Sequence, residues 1–291
     1  MIVVTGSESF IGKELISSLL RNNEKIIGLD LVNKSQDYDF IKIDIRSKDL
    51  DKHIPENADA IIHLASLSST PICKGKGYET FDINVMGTLN LIRAAIKKNV
   101  KQFIFASTEW IYEGFTGNEE KNEDDSIDIT KHTSEYALSK LVSEMNLKQQ
   151  FLNGFCNTTI LRFGIIYGPR EKNWSAVESI VNTVKHNDEV TVGSLKSGRR
   201  FIHIQDIIKG ITKSLGIDGF HIINLTGDSI ITLDDIIKTS EQLYDKSIKI
   251  IEKNSSEVSL RNPSNNKAKI ILNWKPEINL KDGLKTIDPF I

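Results

Sequence analysis

Short apolar runs alternate with longer amphipathic segments through the first 163 residues, and this alternation constrains the fold more than any other feature. Strands covered on both faces of a parallel sheet have nearly continuous apolar sequences, and the amphipathic segments between them fit crossover helices. The predicted strands are Ile2–Thr5, Lys25–Asp30, Phe40–Asp44, Ala60–Leu64, Gln102–Ser107 and Thr158–Phe163. Six strands joined by helices predict an α/β fold with a doubly wound parallel sheet. Its ligand is expected at the carboxyl ends of the strands.

Helical spacing of apolar residues predicts helices over Lys13–Asn22, Asn84–Asn99 and Leu233–Asp245. The acidic segment Gly114–Thr133 is predicted to be a surface loop. Past about residue 170 the alternation weakens into short strands, helices and turns. We therefore expect two domains, residues 1–168 with the parallel sheet and residues 169–291 as a smaller mixed α/β lobe. The second is expected to be interleaved, with some segments returning to the first.

Composition excludes several classes of protein. The net charge of −2 gives no reason to expect nucleic acid or an anionic membrane as a partner. Cys73 and Cys156 form no CxxC pair, and the six His residues show no ligand spacing, so neither a disulfide framework nor a metal site is expected. The sequence contains no apolar run of the ~18 residues that a membrane helix needs. These features predict a cytoplasmic protein.

The segment from Thr5 to Gly12, TGSESFIG, follows the first strand and opens a helix. In a Rossmann-like dinucleotide site, glycines permit the tight turn and the close packing of helix on strand, and the helix N-terminus binds a pyrophosphate. Ser9 stands where the middle glycine of the GxxGxxG pattern is expected. The loop residues expected to contact the dinucleotide are Gly6, Ser9, Phe10, Ile11 and Gly12.

An acidic residue ends each of the next two predicted strands. Asp30 is placed to accept both hydroxyls of the adenosine ribose, and a carboxylate there repels a 2′-phosphate, which favours NAD over NADP. Asp44 and Ile45 close the third predicted strand, where the acid is placed to bond the adenine amino group.

Tyr136 and Lys140 stand one helical turn apart, on one face of a predicted helix. A free tyrosine has a pKa near 10, too high for a base at neutral pH. A neighbouring ammonium and an oxidised nicotinamide would both stabilise the phenolate. The spacing therefore suits a tyrosine acid/base assisted by lysine.

Taken in order along nearly the whole chain, these and further motifs resemble the extended short-chain dehydrogenase/reductases, the group of NAD-dependent nucleotide-sugar epimerases and dehydratases. The further motifs are His63-Leu-Ala-Ser66, Asn84-Val-Met-Gly-Thr88, Phe103 to Tyr112 (FIFASTEWIY), Leu161 to Arg170 (LRFGIIYGPR), Arg199 to Asp206 (RRFIHIQD) and Lys267-Ala268 followed by Leu272 to Pro276 (LNWKP).

The resemblance implies roles for particular residues. Thr108 hydrogen-bonds the substrate oxygen, Tyr136 is the acid/base and Lys140 its modulator, which also holds the nicotinamide ribose. The residues implied to line the cofactor, besides Tyr136 and Lys140, are Leu64, Ala65, Asn84 and Ser107. Arg199 and Arg261 are implied to bind the diphosphate of a nucleotide-diphosphate sugar, a task that suits guanidinium groups. His63 is implied to be a packing residue at a strand end.

The family chemistry begins with hydride transfer from C4 of the sugar to NAD, and three outcomes stay open. Returning the hydride to the other face gives an epimerase, which is the expected activity. A 4,6-dehydratase needs further acid/base groups after Thr108. The family's usual glutamate position holds Trp110, and the acid stands one position earlier, at Glu109. A keto-sugar reductase is less favoured because Asp30 indicates NAD.

A non-catalytic NAD(H)-binding regulator is the remaining alternative, and the retained Tyr136 and Lys140 argue against it. On the substrate side, Ile165 replaces an asparagine that several epimerases carry, so the sugar and the base stay open. The resemblance also implies a homodimer formed through the helices that begin near Asn84 and Ser134. Leu141, Met145 and Leu152 are candidates for an apolar stripe there.

Overall fold

The computed structural model describes residues 1–32, 37–114, 118–172 and 174–291. Its strands are β1 (Ile2–Thr5), β2 (Ile26–Asp30), β3 (Asp39–Lys42), β4 (Ala60–His63), β5 (Gln102–Thr108), β6 (Asn157–Phe163), β7 (Ile166–Tyr167), β8 (Glu189–Val192), β9 (Gly198–Arg199), β10 (Ile202–His203), β11 (Phe220–Leu225), β12 (Ile231–Thr232), β13 (Lys249–Glu252) and β14 (Leu260–Arg261). Seven of them form the main sheet, in the order β11-β6-β5-β4-β1-β2-β3.

The helices are α1 (Phe10–Arg21), α2 (Thr70–Cys73), α3 (Gly77–Phe81), α4 (Gly87–Lys97), α5 (Glu135–Leu152), α6 (Ala176–His186), α7 (Ile204–Lys213), α8 (Leu233–Tyr244), α9 (Asn266–Ile271) and α10 (Leu280–Ile287). A π-helical turn, Asp82–Met86, joins α3 to α4. Short 3-10 turns cover Leu50–His53, Glu109–Tyr112, Ile129–Lys131 and Asp288–Phe290.

The sheet is doubly wound from β1, an interior strand. β1 pairs in parallel with β2 on one side and with β4 on the other, and the pairs β2–β3 and β4–β5 are also parallel. The strand order reverses at β1, so the crevice for a ligand lies at the carboxyl ends of β1 and β4. The predicted fold class is confirmed.

Differences from the predicted elements are local. The predicted strand Phe40–Asp44 is β3, Asp39–Lys42, so Asp44 lies two residues beyond the strand. Beyond β3, its pairing with β2 extends by one hydrogen bond, which Ile43 N–H donates to the carbonyl oxygen of Asp30. The sheet also contains a seventh strand, β11, from the second half of the chain, which the sequence analysis did not place there.

The chain forms two compact units. The first contains residues 1–114, 126–162 and 210–223, and its core includes Val3, Leu29, Ile61, Phe103 and Ile160. Apolar side chains on the central strands thus pack together without contact with water, as expected for a sheet covered by helices.

The second unit contains residues 115–125, 163–209 and 224–291. Its core includes Tyr167, Val181, Ile237 and Leu284. It contains a three-stranded sheet, β12-β9-β14, and two strand pairs, β10–β7 and β13–β8. The domains predicted from the sequence, with NAD in residues 1–168 and substrate in residues 169–291, stay a prediction.

The acidic segment Gly114–Thr133 is not a surface loop throughout. Residues 115–117 of this prediction lie outside the described residues. Glu123 is buried, and its carboxylate accepts a hydrogen bond from the backbone N–H of Asn224 at 2.7 Å. A buried backbone donor needs an acceptor, and Glu123 supplies one, so this acid is internal.

Within the described ranges, no helix is both long enough and apolar enough to span a lipid bilayer.

Candidate active site

The glycine loop between β1 and α1 is a close-packed backbone turn. Gly6 has φ +71°, and a Cβ there would press on the backbone of Ala65 at 2.7 Å. A Cβ on Gly12 would collide with the carbonyl oxygen of Gly6. Both positions therefore require glycine, one for its conformation and the other for the close approach of α1 to the loop. This cradle fits a dinucleotide pyrophosphate.

Ser9, the residue that replaces the middle glycine, is the N-cap of α1. Its hydroxyl accepts a hydrogen bond from Gly12 N–H at 3.0 Å, and its φ of −71° is compatible with any residue. Serine is a preferred N-cap, so the replacement stabilises the helix start. Phe10 and Ile11 form the first turn of α1, next to this cap.

Asp30 ends β2 beside the glycine loop. Its carboxylate accepts hydrogen bonds from Glu8 N–H at 2.9 Å and from Leu31 N–H at 2.7 Å. The acid is thus fixed at the carboxyl edge of the sheet, where the adenosine ribose of a dinucleotide is expected.

Asp44 forms an ion pair with Arg46. Arg46 donates to both carboxylate oxygens, at 3.0 and 2.6 Å, and it also binds Asp82 at 2.6 Å. The hydrogen bonds from Arg46 hold the pKa of Asp44 below its usual range. Asp44 is therefore ionised, and Ile45 next to it is buried against α4, where a Cβ on Gly87 would meet its side chain.

The segment that follows β4 is held by Asn84. Leu64 is nearly buried, and Ala65 N–H donates to Thr5 Oγ1 at 3.2 Å. The Asn84 side chain accepts from Leu67 N–H at 2.8 Å and donates to Ser139 Oγ at 3.0 Å. Asn84 thus fixes the backbone beside the loop, and its predicted contact with the cofactor stays a prediction.

Thr108, Tyr136 and Lys140 come together at the end of β5. Thr108 ends the strand, and Tyr136 and Lys140 lie on one face of α5, which begins after the Ser134 cap. Lys140 Nζ donates to the carbonyl oxygen of Ala106 at 2.8 Å and lies 6.0 Å from the centre of the Tyr136 ring. The three predicted catalytic side chains therefore form one group.

Burial sets the protonation of this group in the protein without a cofactor. It lowers the pKa of Lys140 to about 7. It raises the pKa of Tyr136 to about 12, although the hydrogen bond with Thr108 acts in the opposite direction. Tyr136 is thus protonated at neutral pH, and any added positive charge beside it would favour the phenolate.

A buried network behind these residues was missed by the sequence analysis. Arg162 on β6 donates to Glu144 at 2.7 Å and to the Tyr112 hydroxyl at 2.8 Å, and the Ser107 hydroxyl donates to Glu144. All four side chains are at most 3% exposed, so the charges are paired away from water. Glu144 lies one helical turn after Lys140, and that spacing is the signal that could have identified it.

Two further residues near the catalytic group, Glu109 and His63, are buried. Glu109, in the 3-10 turn directly after Thr108, is 1% exposed. His63 is buried at the end of β4, with its ring nitrogens 2.7 Å from Thr5 Oγ1 and 2.9 Å from Thr88 Oγ1. Burial lowers the pKa of His63 to about 3, so it is neutral and holds neighbouring segments together.

In the second unit, Arg199 and Arg261 are direct neighbours on the parallel strands β9 and β14. Arg199 donates to the Ser259 carbonyl at 2.6 Å and to the Ser259 hydroxyl at 2.9 Å. The backbone register thus brings two arginines side by side, and guanidinium groups suit the binding of a diphosphate.

Residues 2–225 match the sequence profile of the NAD dependent epimerase/dehydratase family. The chain belongs to this family. The match covers the glycine loop, Asp30, Thr108, Tyr136 and Lys140. The predictions of the family and of NAD as cofactor are confirmed, and the roles of the individual residues stay predictions.

Three proteins illustrate the similarity. A UDP-glucuronate 4-epimerase of Thermodesulfobacterium geofontis is 29% identical over 97% of this chain and 93% of its own length. The structure of a UDP-glucuronic acid 4-epimerase from Bacillus cereus, in complex with UDP-glucuronic acid and NAD, is 26% identical, with a TM-score of 0.86 over 99% of this chain and 98% of that one. A UDP-glucose 4-epimerase from Thermotoga maritima shares the fold, with a TM-score of 0.86 over 99% and 97% and 24% identity.

Proposed function

We propose that this chain is a nucleotide-sugar 4-epimerase that oxidises the sugar at C4 and reduces the 4-keto intermediate from its other face. The grouping of Thr108, Tyr136 and Lys140 carries this proposal. One hydroxyl, one phenol and one ammonium suffice for a reaction in which the same oxygen loses and regains its proton.

Each side chain has a defined task in this reaction. Bound NAD supplies the acceptor and then the donor of the hydride. Tyr136 takes the proton of the C4 hydroxyl and later returns it, while Thr108 orients the C4 oxygen by a hydrogen bond. Lys140 Nζ lies 6.0 Å from the centre of the Tyr136 ring, and a positive charge at this distance stabilises the phenolate.

UDP-sugars are the proposed substrates. The epimerases from Thermodesulfobacterium geofontis and Bacillus cereus are named for UDP-glucuronate, and both match nearly the whole chain. Arg199 and Arg261 are proposed to bind the diphosphate, and their adjacency on β9 and β14 supports this role.

A 4,6-dehydratase is the second candidate, and Glu109 is the observation that favours it. This carboxylate follows Thr108 directly and is buried, so it is an acid in a position next to the catalytic threonine. Trp110, the next residue, offers no group that could remove a proton from C5. Elimination would therefore depend on Glu109 alone, whereas epimerisation does not need it.

The protein is further proposed to act in the cytoplasm as a homodimer. Met145 and Leu152 on α5 are 42% and 67% exposed, and Ile96 on α4 is 51% exposed. Leu141, the third residue of the predicted stripe, is only 6% exposed and belongs to the core. The remaining exposed apolar residues are consistent with an interface formed by these two helices.

Product analysis tests the proposal. The purified protein is incubated with UDP-glucuronic acid, UDP-glucose and UDP-N-acetylglucosamine, and the products are separated and analysed by proton NMR. We expect an equilibrium mixture of a substrate and its C4 epimer. Tyr136→Phe should lower the rate by about 10²–10⁴-fold, the usual range for loss of a general acid/base. A product with a methyl group at C6, which elimination of water produces, would establish the dehydratase. Conversion at the same rate by Tyr136→Phe would refute the proposed role of Tyr136.

A further inference from the structure

Glu8 lies in the glycine loop beside Asp30, so two acidic residues occupy this edge of the sheet. The backbone N–H of Glu8 donates to Asp30 Oδ2 at 2.9 Å. The bond fixes the loop against the end of β2. It also brings a second carboxylate, which the sequence analysis did not consider, to the place where an adenosine ribose is expected.

The Glu8 carboxylate is held in a defined position. Its side chain is 3% exposed, and its Oε1 accepts a hydrogen bond from the Tyr38 hydroxyl at 2.5 Å. Its other oxygen, Oε2, is buried and has no hydrogen-bond partner among the described residues. Lys13 Nζ lies 4.0 Å from Oε2 and is half exposed, so it neutralises the acid only in part.

Tyr38 reaches Glu8 because β2 has glycine at position 28. A Cβ on Gly28 would collide with Cε2 of the Tyr38 ring and approach Ser7 Oγ to 2.8 Å. Burial and the adjacent Glu8 raise the pKa of Tyr38, so the phenol remains protonated and serves as the donor. The strand, the loop and Tyr38 are thus built around the Glu8 carboxylate.

The charges at this edge favour a neutral ligand group. Glu8 and Asp30 contribute two negative charges, and among the described residues Lys13 is the cation within salt-bridge range of Glu8. A ribose hydroxyl can donate to a carboxylate, whereas a 2′-phosphate carries negative charge that two nearby carboxylates repel.

We propose that Glu8 is a second specificity-determining residue, which acts with Asp30 to exclude the 2′-phosphate of NADP from the adenosine end of the site. This inference rests on the proposed placing of NAD at the glycine loop. The fixed position of Glu8 makes the exclusion independent of which sugar or nucleotide the enzyme turns over.

Binding measurements on the cofactor-free protein test the inference without any turnover. The dissociation constants of NADH and NADPH are measured by calorimetric titration for the wild-type protein and for Glu8→Gln. Removing the charge should lower the dissociation constant of NADPH by about tenfold, which corresponds to ~1.4 kcal/mol of binding free energy. The dissociation constant of NADH should change by less than about threefold. Glu8→Asp keeps the charge and should keep the wild-type ratio of the two constants.

Two control variants separate the effect of the Glu8 charge on the ratio of the two dissociation constants from the effect of disturbed packing. Glu24→Gln makes the same charge change at an exposed position beyond the other end of α1 and should leave the ratio unchanged. Tyr38→Phe disturbs the same contacts without changing the charge and should also keep the ratio. An unchanged ratio in Glu8→Gln, or a change caused only by weaker NADH binding, would overturn the inference. Failure of the wild-type protein to bind NADH would instead refute the proposed cofactor site.

Discussion

Lys140 is an amine held away from water, and this makes the stability of the cofactor-free protein depend on pH. Burial lowers its pKa from 10.5 to about 7, so between these values the unfolded chain holds a proton that the folded protein lacks. The contribution of Lys140 to the free energy of unfolding therefore rises with pH in this window. The contribution of Lys140 is at most about 1.4 kcal/mol per pH unit.

Urea denaturation at pH 7, 8 and 9 checks this expectation. Lys140→Met removes the titrating group, so its free energy of unfolding should rise less steeply with pH than that of the wild-type protein. Above pH 10, Tyr136 acts in the opposite direction because its folded pKa is raised to about 12, and the measurements therefore stop at pH 9. If the free energy of unfolding rose equally with pH in the wild-type protein and in Lys140→Met, the result would contradict the burial of a neutral Lys140.

Among individual residues, the sequence revealed those whose partners are near in the chain. Tyr136 and Lys140 were found because four positions along a helix bring side chains to one face. Glu8 was missed because its significance depends on Tyr38 and Asp30, which only the folded chain brings beside it. A glutamate within a glycine-rich loop is, from sequence alone, most simply a solvated side chain.

The elements α5 and β6 are joined by the buried ion pair between Glu144 and Arg162. Removing one partner leaves an uncompensated buried charge, which typically costs about 3–5 kcal/mol. We therefore expect Arg162→Met and Glu144→Met each to lower the free energy of unfolding by about this amount. The double variant should lose less free energy of unfolding than the two single variants lose in sum, since neither charge is then left unpaired.

A double-mutant cycle by urea denaturation at pH 7 measures this coupling. Lys52 and Asp49 form an exposed pair in the same unit at 2.7 Å, and they provide the control cycle, expected to show a coupling of at most about 1 kcal/mol. Strictly additive losses at Glu144 and Arg162 would show that the two side chains do not act as a pair.

Most elements of the main sheet were predictable because their signals are local. β1 was predicted with its observed bounds, and the strands β2, β4, β5 and β6 differ by one residue at an end. β11 was not placed in the sheet because its pairing with β6 joins segments far apart in the chain. The two-stranded and three-stranded sheets of the second unit have strands of two to four residues, too short to give a periodic pattern.

At the scale of the whole molecule, the exposed apolar residues of α4 and α5 predict self-association. Met145→Lys combined with Leu152→Lys places two charges on this surface and should convert the proposed dimer to a monomer. Sedimentation velocity at micromolar concentration measures the change. Val258→Lys combined with Ile270→Lys makes the same change at two exposed apolar residues of the second unit and serves as the control. A wild-type protein that sediments as a monomer would refute the dimer.

The central claim is that C4 of a UDP-sugar loses a hydride and regains the same one. The most direct test uses UDP-glucuronic acid or UDP-glucose labelled with deuterium at C4 and follows the label by NMR in ordinary water. We expect a mixture of the two C4 epimers, both with deuterium still at C4, and no incorporation of solvent hydrogen at that carbon. Loss of deuterium from C4, or its transfer to C6 with elimination of water, would contradict it.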